Sequence, residues 1–96
     1  MTFRVIDVLR IEQRNVRKMN SNRHFSALSF REQSDAVIAY SQGRIQMKPG
    51  AVTFFPADVD YERVASVDQM TVVHFELLNC AAREIESFVT GQPQRL

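Results

Sequence analysis

The sequence predicts an all-β domain, an antiparallel sandwich or barrel of seven or eight short strands followed by one helix. Two observations carry this. Short runs of β-branched and aromatic residues are separated by turn signals every eight to ten residues, the pattern of a sandwich or barrel. Helical periodicity is confined to one segment, Cys80 to Val89, near the end of the chain.

The best-defined element is Lys48 to Tyr61. Pro49 presets φ for the second position of a turn, and Gly50 supplies the positive φ that the third position of a type II turn requires. Val52 to Phe55 reads as a buried strand. Pro56 ends it, because proline cannot donate to a sheet ladder.

From the N-terminus, Phe3 to Ile11 is rich in Val, Ile, Leu and Phe and reads as a strand. Residues 12–23 are polar, basic and aperiodic, a loop or a ragged edge strand. Arg10, Arg14, Arg17, Lys18 and Arg23 lack the interleaved aromatics of a base-stacking surface, so a solvated loop is expected rather than a phosphate-binding patch. His24 to Glu32 alternates, with Phe25, Ala27, Ser29 and Arg31 on one face. Ala36 to Tyr40 and Ile45 to Lys48 are strands joined by the turn Ser41-Gln42-Gly43-Arg44. Val59 to Ala65 is a strand, Ser66 to Gln69 a turn, and Met70 to Leu78 the longest strand. Asn79 is a good N-cap, and Ala81, Ile85, Phe88 and Val89 form the apolar stripe of the helix that follows.

The bulk properties exclude several classes. Ninety-six residues make one domain. A formal net charge of +1 provides no strong overall field towards nucleic acid or membrane, although residues 1–31 carry seven basic side chains against two acids. Cys80 is the only cysteine, so neither an internal disulfide nor a cysteine zinc cluster is expected. No signal peptide and no membrane span are legible. A cytoplasmic protein is expected.

Gly50-x5-Pro56, followed five residues later by Tyr61, is similar to the second sequence motif of the cupins, which are small jelly-roll barrels. Arg31-x-x-Ser34-x-Ala36, Lys48-Pro49-Gly50, Phe55-Pro56-Ala57 and His74-Phe75 together resemble the N-terminal effector-binding domain of AraC-type transcription regulators, over residues 22–79. Ser34 and Asp58 stand where such families usually carry glycine. The resemblance implies a cupin-like barrel over residues 1–78. Residues 79–96 would form a C-terminal helix and tail that begin a dimerisation or linker region. The helix-turn-helix units of such regulators are absent from these residues, so no DNA binding by this fragment alone is expected.

The metal-binding cupins carry two histidines and a glutamate in a first motif and one histidine in the second. Tyr61 occupies the second-motif histidine position. With Ser34 closing the first motif, the glutamate position is Ala27; with Asp35 closing it, His24 survives and the glutamate position becomes Leu28. At best one ligand of four remains, which makes no selective metal site. No metal, no other cofactor and no catalytic residues are expected. Asp58, Asp60 and Glu62 read as a solvated acidic rim rather than an acid–base pair, and Cys80 as a small buried hydrophobe.

Alternation collects Phe25, Arg31, Tyr61, Arg63, Met70, Val72 and His74 on the lumen face. Apolar surface with a few convergent polar groups is how small-ligand pockets are built. The candidate ligand-binding residues are therefore Arg31, Tyr61, Met70, Val72, His74 and Phe25. In the resembled domains an arginine just before the first turn contacts the effector, and Arg31 is the matching position. If it points into a wet pocket, its truncation costs little stability. His74 is a ligand contact or a hydrogen-bonded structural histidine, and Tyr61 a contact or a plug. The expected function is an effector-sensing, dimerising domain that binds a small polar ligand, sugar-like or a small acid. The homodimer would meet through the helix or a barrel edge. The alternative is a stand-alone, metal-free cupin that binds or transforms a polar metabolite.

Overall fold

β-Branched and aromatic residues fit a pleated, half-buried surface, and in the computed structural model the alternating runs pair into one antiparallel sheet. Residues 2–78 are described, together with the backbone of residues 94 and 95. The helix expected over Cys80 to Val89 lies outside the described residues. The strands are β1 (Thr2–Asn20), β2 (Ser26–Ser34), β3 (Val37–Tyr40), β4 (Gly43–Gln46), β5 (Val52–Phe55), β6 (Tyr61–Leu78) and β7 (Gln94–Arg95). Among the described residues there is no helix.

β6 is the spine. One of its edges pairs with β1 along its whole length. Its other edge is shared, with β3 on Tyr61–Val64 and β2 on Asp68–Phe75. β2 continues to β5 and then β7, while β3 continues to β4. Serving two partners on one edge, the sheet curls into an antiparallel half-barrel. Its concave side holds the core, including Ala27, Ile38, Met47, Phe55, Tyr61, Ala65, Met70 and Val72.

Of the two readings of residues 12–23, a loop or a ragged edge strand, the second holds for residues 12–20, which are the latter half of the 19-residue edge strand β1 rather than a solvated loop. Long-range pairing overrides weak local propensity here, and an outer edge strand can carry polar residues because one of its faces stays wet. Its outward arginines are matched across strands, Arg10 to Glu32 at 2.6 Å and Arg17 to Glu62 at 2.8 Å.

Residues 66–69 are not a turn either, since Val59–Ala65 and Met70–Leu78 belong largely to one 18-residue strand, β6. Tyr61, Arg63 and Ala65 are buried, then Asp68, Met70 and Val72, so inward positions change parity between Ala65 and Asp68. On β1 the partner positions change parity too, from Gln13 opposite Asp68 to Val16 opposite Ala65. Asn15 absorbs the kink at φ 50°, a left-handed conformation that asparagine tolerates.

The kink falls where β2 leaves β6 and β3 has yet to join it. Asp35 fills the gap: its Oδ1 accepts from the Ser66 and Val67 amides at 2.9 and 3.1 Å, and its Oδ2 from the Ser66 hydroxyl. These hydrogen bonds, the Ser66 hydroxyl first, hold the Asp35 carboxyl below the usual carboxylate range.

The Lys48–Ala51 turn forms as expected. The Ala51 amide donates to the Lys48 carbonyl at 3.0 Å, and Gly50 has φ 82°. β3 and β4 form a hairpin whose turn is Ser41-Gln42, with Gly43 already paired to Tyr40.

Asp58, where the resembled families usually carry glycine, has φ 64°. Its amide donates to the Arg23 carbonyl at 2.9 Å, joining the β5–β6 and β1–β2 connections. A β-branched residue should be strained there. Asp58→Val is expected to cost about 1–2 kcal/mol, whereas Asp58→Gly should stay within about 1 kcal/mol of the parent in urea denaturation. Equal losses in both variants would mean that the aspartate side chain, not the backbone, is what matters.

Candidate functional site

The concave face opens into a cavity of about 260 Å³. Alternation along β2 places Ala27, Ser29 and Arg31 on its wall, with Phe25 just before the strand. β6 contributes Tyr61 and Arg63 below its kink and Met70, Val72 and His74 above it. All six candidate residues therefore meet in one cavity.

The behaviour of Arg31 differs from expectation. Asp68 is wholly buried, and two arginines converge on it. Arg31 donates through Nε to Asp68 Oδ1 at 3.2 Å and through Nη2 to Oδ2 at 3.4 Å, while its Nη1 donates to Ser29 Oγ. Arg63 donates from Nη1 to Asp68 Oδ2 at 2.9 Å and from Nη2 to Gln13 Oε1 at 2.6 Å. Charges this deep must be paired. Arg31 is therefore part of the wall's internal structure, and its truncation should destabilise rather than cost little.

His74 is a hydrogen-bonded histidine on the cavity wall. Its Nδ1 is 2.6 Å from Asp7 Oδ1, so it is hydrogen-bonded, and it also lines the cavity, with the Phe25 ring centroid 4.7 Å from its own. Tyr61 stacks on Phe55 with centroids 4.6 Å apart, and the Arg23 guanidinium sits 5.1 Å from its ring. Burial pushes the Tyr61 phenol above its ordinary value of 10.0, and the charges of Arg23, Arg31 and Arg63 offset part of that rise.

Sequence reasoning missed one wall. β1 contributes Leu9, Ile11, Lys18 and Asn20, the β1–β2 connection contributes Arg23, and β5 contributes Phe55. The alternation of Leu9 and Ile11 was a usable signal. Lys18 and Arg23 belong to the basic run read as solvated and Asn20 had no signal; the pairing of β1 with β6 sets Lys18 opposite Arg63 and Asn20 opposite Tyr61.

No protein-family model, curated protein or solved structure matches this chain.

The remaining groups lie off the cavity wall. His24 is exposed, with Asp58 at 3.4 Å. Asp60 accepts from the Asn22 amide at 3.4 Å, and Glu62 pairs with Arg17. Among the described residues, no three His, Cys, Asp or Glu side chains gather where they could hold a metal ion. Cys80 lies outside the described residues. No helix among them is long and apolar enough to cross a membrane.

Proposed function

We propose that the domain is the effector-sensing and dimerising domain of an AraC-type transcription regulator, a cupin-like barrel that binds a small polar ligand in its concave cavity. The observation that supports this most is the convergence of Phe25, Arg31, Tyr61, Met70, Val72 and His74 on one cavity. These are the positions singled out from alternation, and Arg31 is the one matched through the resemblance. Apolar walls with a few polar groups suit reversible recognition of a small molecule. In this reading DNA contact belongs to helix-turn-helix units outside these 96 residues, and the whole regulator acts in the cytoplasm.

The dimer of this reading uses the barrel edge. Among the described residues β1 pairs on one side only, with β6. Phe3, Val5, Ile6 and Val8 along it are exposed. A long unpaired edge with apolar side chains is a template for a second strand, and a two-fold pairing of β1 with its copy would satisfy it.

A thermal-shift screen over sugars, polyols, amino acids and small carboxylates tests the ligand reading, with light scattering run alongside. A ligand at a hundred times its Kd should stabilise the domain by about 2.7 kcal/mol, a rise of about 10 °C or more for a chain of this size. A screen with no responding compound would remove the effector-binding reading, and a monomer at micromolar concentration would remove the dimer.

A further inference from the structure

The polar atoms of the cavity are unevenly satisfied. Asn20 Nδ2, Arg23 Nε and Arg23 Nη2 are buried side-chain atoms without a hydrogen-bond partner. All three are donors, and they belong to two residues that line the cavity. Among the described residues no buried side-chain acceptor is left in this condition.

The charges lean the same way. Lys18, Arg23, Arg31 and Arg63 line the cavity. Asp68 is the counter-ion of both Arg31 and Arg63, so that buried group of three keeps a net positive charge. Among the described residues the Arg23 guanidinium meets aromatic faces, Phe25 at 5.9 Å and Tyr61 at 5.1 Å. Lys18 makes no ion pair among the described residues. His74, the remaining basic group, is matched by Asp7.

We infer that the cavity takes a small anion with an apolar body, a monocarboxylate, whose carboxylate accepts from Arg23 and Asn20 beside Lys18. The inference rests on the ligand-binding reading of the same cavity and names the chemical class. A buried donor without an acceptor is costly, and an ionised carboxylate brings acceptors only. It therefore satisfies these donors without adding a donor of its own. A sugar brings a donor with every hydroxyl, and two acceptors of the wall are already engaged: Asp68 accepts from two arginines and Ser29 Oγ from Arg31.

The lining is mixed: Lys18, opposite Arg63, and Asn20, opposite Tyr61, supply charge and donors, while Leu9, opposite Val72, and Ile11, opposite Met70, supply apolar surface for the ligand's body. The cavity of about 260 Å³ has room for about nine water-sized groups at about 30 Å³ each. That fits a six-carbon fatty acid or a benzoate.

The test compares acids with their neutral amides. Hexanoate and hexanamide, then benzoate and benzamide, are titrated calorimetrically into the full chain at low salt. Each acid is expected to bind at least about tenfold more tightly than its amide, as charge-assisted hydrogen bonds are roughly twice as strong as neutral ones. Arg23→Gln and Lys18→Gln should each bring the acid's affinity down towards the amide's while the melting temperature stays near the parent's. Lys18 is exposed, so its variant carries the test if Arg23→Gln does not fold. Equal affinity of acid and amide overturns the anion inference and leaves ligand binding intact. So does binding of a sugar from the screen with none of either acid. If neither acids, amides nor any screened compound bind, the ligand reading falls and this inference falls with it.

Discussion

Asp68→Ala is expected to remove a large part of the domain's folding stability. The carboxylate is wholly buried and accepts hydrogen bonds from Arg31 and Arg63, both themselves buried. Removing it leaves two guanidinium groups without a counter-ion inside the concave face. Breaking a buried ion pair from one side costs about 3–5 kcal/mol. A chain of this length has about 5–14 kcal/mol in all, so much of its stability would go. The melting temperature should fall by at least about 12 °C, at about 4 °C or more per kcal/mol. Replacing all three, Arg31→Met with Asp68→Leu and Arg63→Met, removes the charges together and should restore much of the loss, because well-packed apolar residues often substitute for buried ion pairs without penalty. A melting temperature for Asp68→Ala within a few degrees of the parent would show that water reaches the arginines.

Tyr61→Ala is expected to cost about 3–5 kcal/mol, the usual range for truncating a buried aromatic. The ring is buried, stacks on Phe55 and carries Arg23 over its face. Tyr61→Phe keeps all of those contacts and should melt close to the parent at neutral pH. The two should separate in alkali. Burial raises the folded-state value above the ordinary 10.0, so the unfolded chain loses the phenolic proton first. Stability is then intact below about pH 10 and falls as pH rises through the folded-state value. Tyr61→Phe should not show this component of the alkaline loss. Urea midpoints between pH 8 and 11 measure it, and identical profiles for parent and Tyr61→Phe would mean that the phenol is effectively solvated.

The inward face of β2, namely Ala27, Ser29 and Arg31, with Phe25 before it, was legible because strand alternation is a local property of the backbone. The Lys48–Ala51 turn was legible for the same reason, since Pro49 and Gly50 carry their conformational preferences within themselves. On β6 the alternation also marks Tyr61, Arg63, Met70, Val72 and His74 as inward, and they line the cavity, although the parity change between them has the pattern of a turn. A kink and a turn look alike in a pattern of polar and apolar residues. They differ in whether the chain keeps a partner through it, and here β1 pairs β6 on both sides of Asn15 and Ser66.

What the sequence determined by itself was therefore what local chemistry controls: the all-β class, the turn around Gly50, and which side chains of β2 and β6 face inward. What only the tertiary structure decided was what depends on partners distant in the chain. Residues 12–20 became strand because β6 offered an edge. Arg31 became structural because Asp68, thirty-seven residues later, meets it in the core. Asn20 and Arg23 line the cavity because β1 lies against β6 and the chain then turns back into β2. Such pairings are a property of the folded sheet, where the energy of burying a charge or an amide depends on what lies across the strand rather than on its neighbours in sequence.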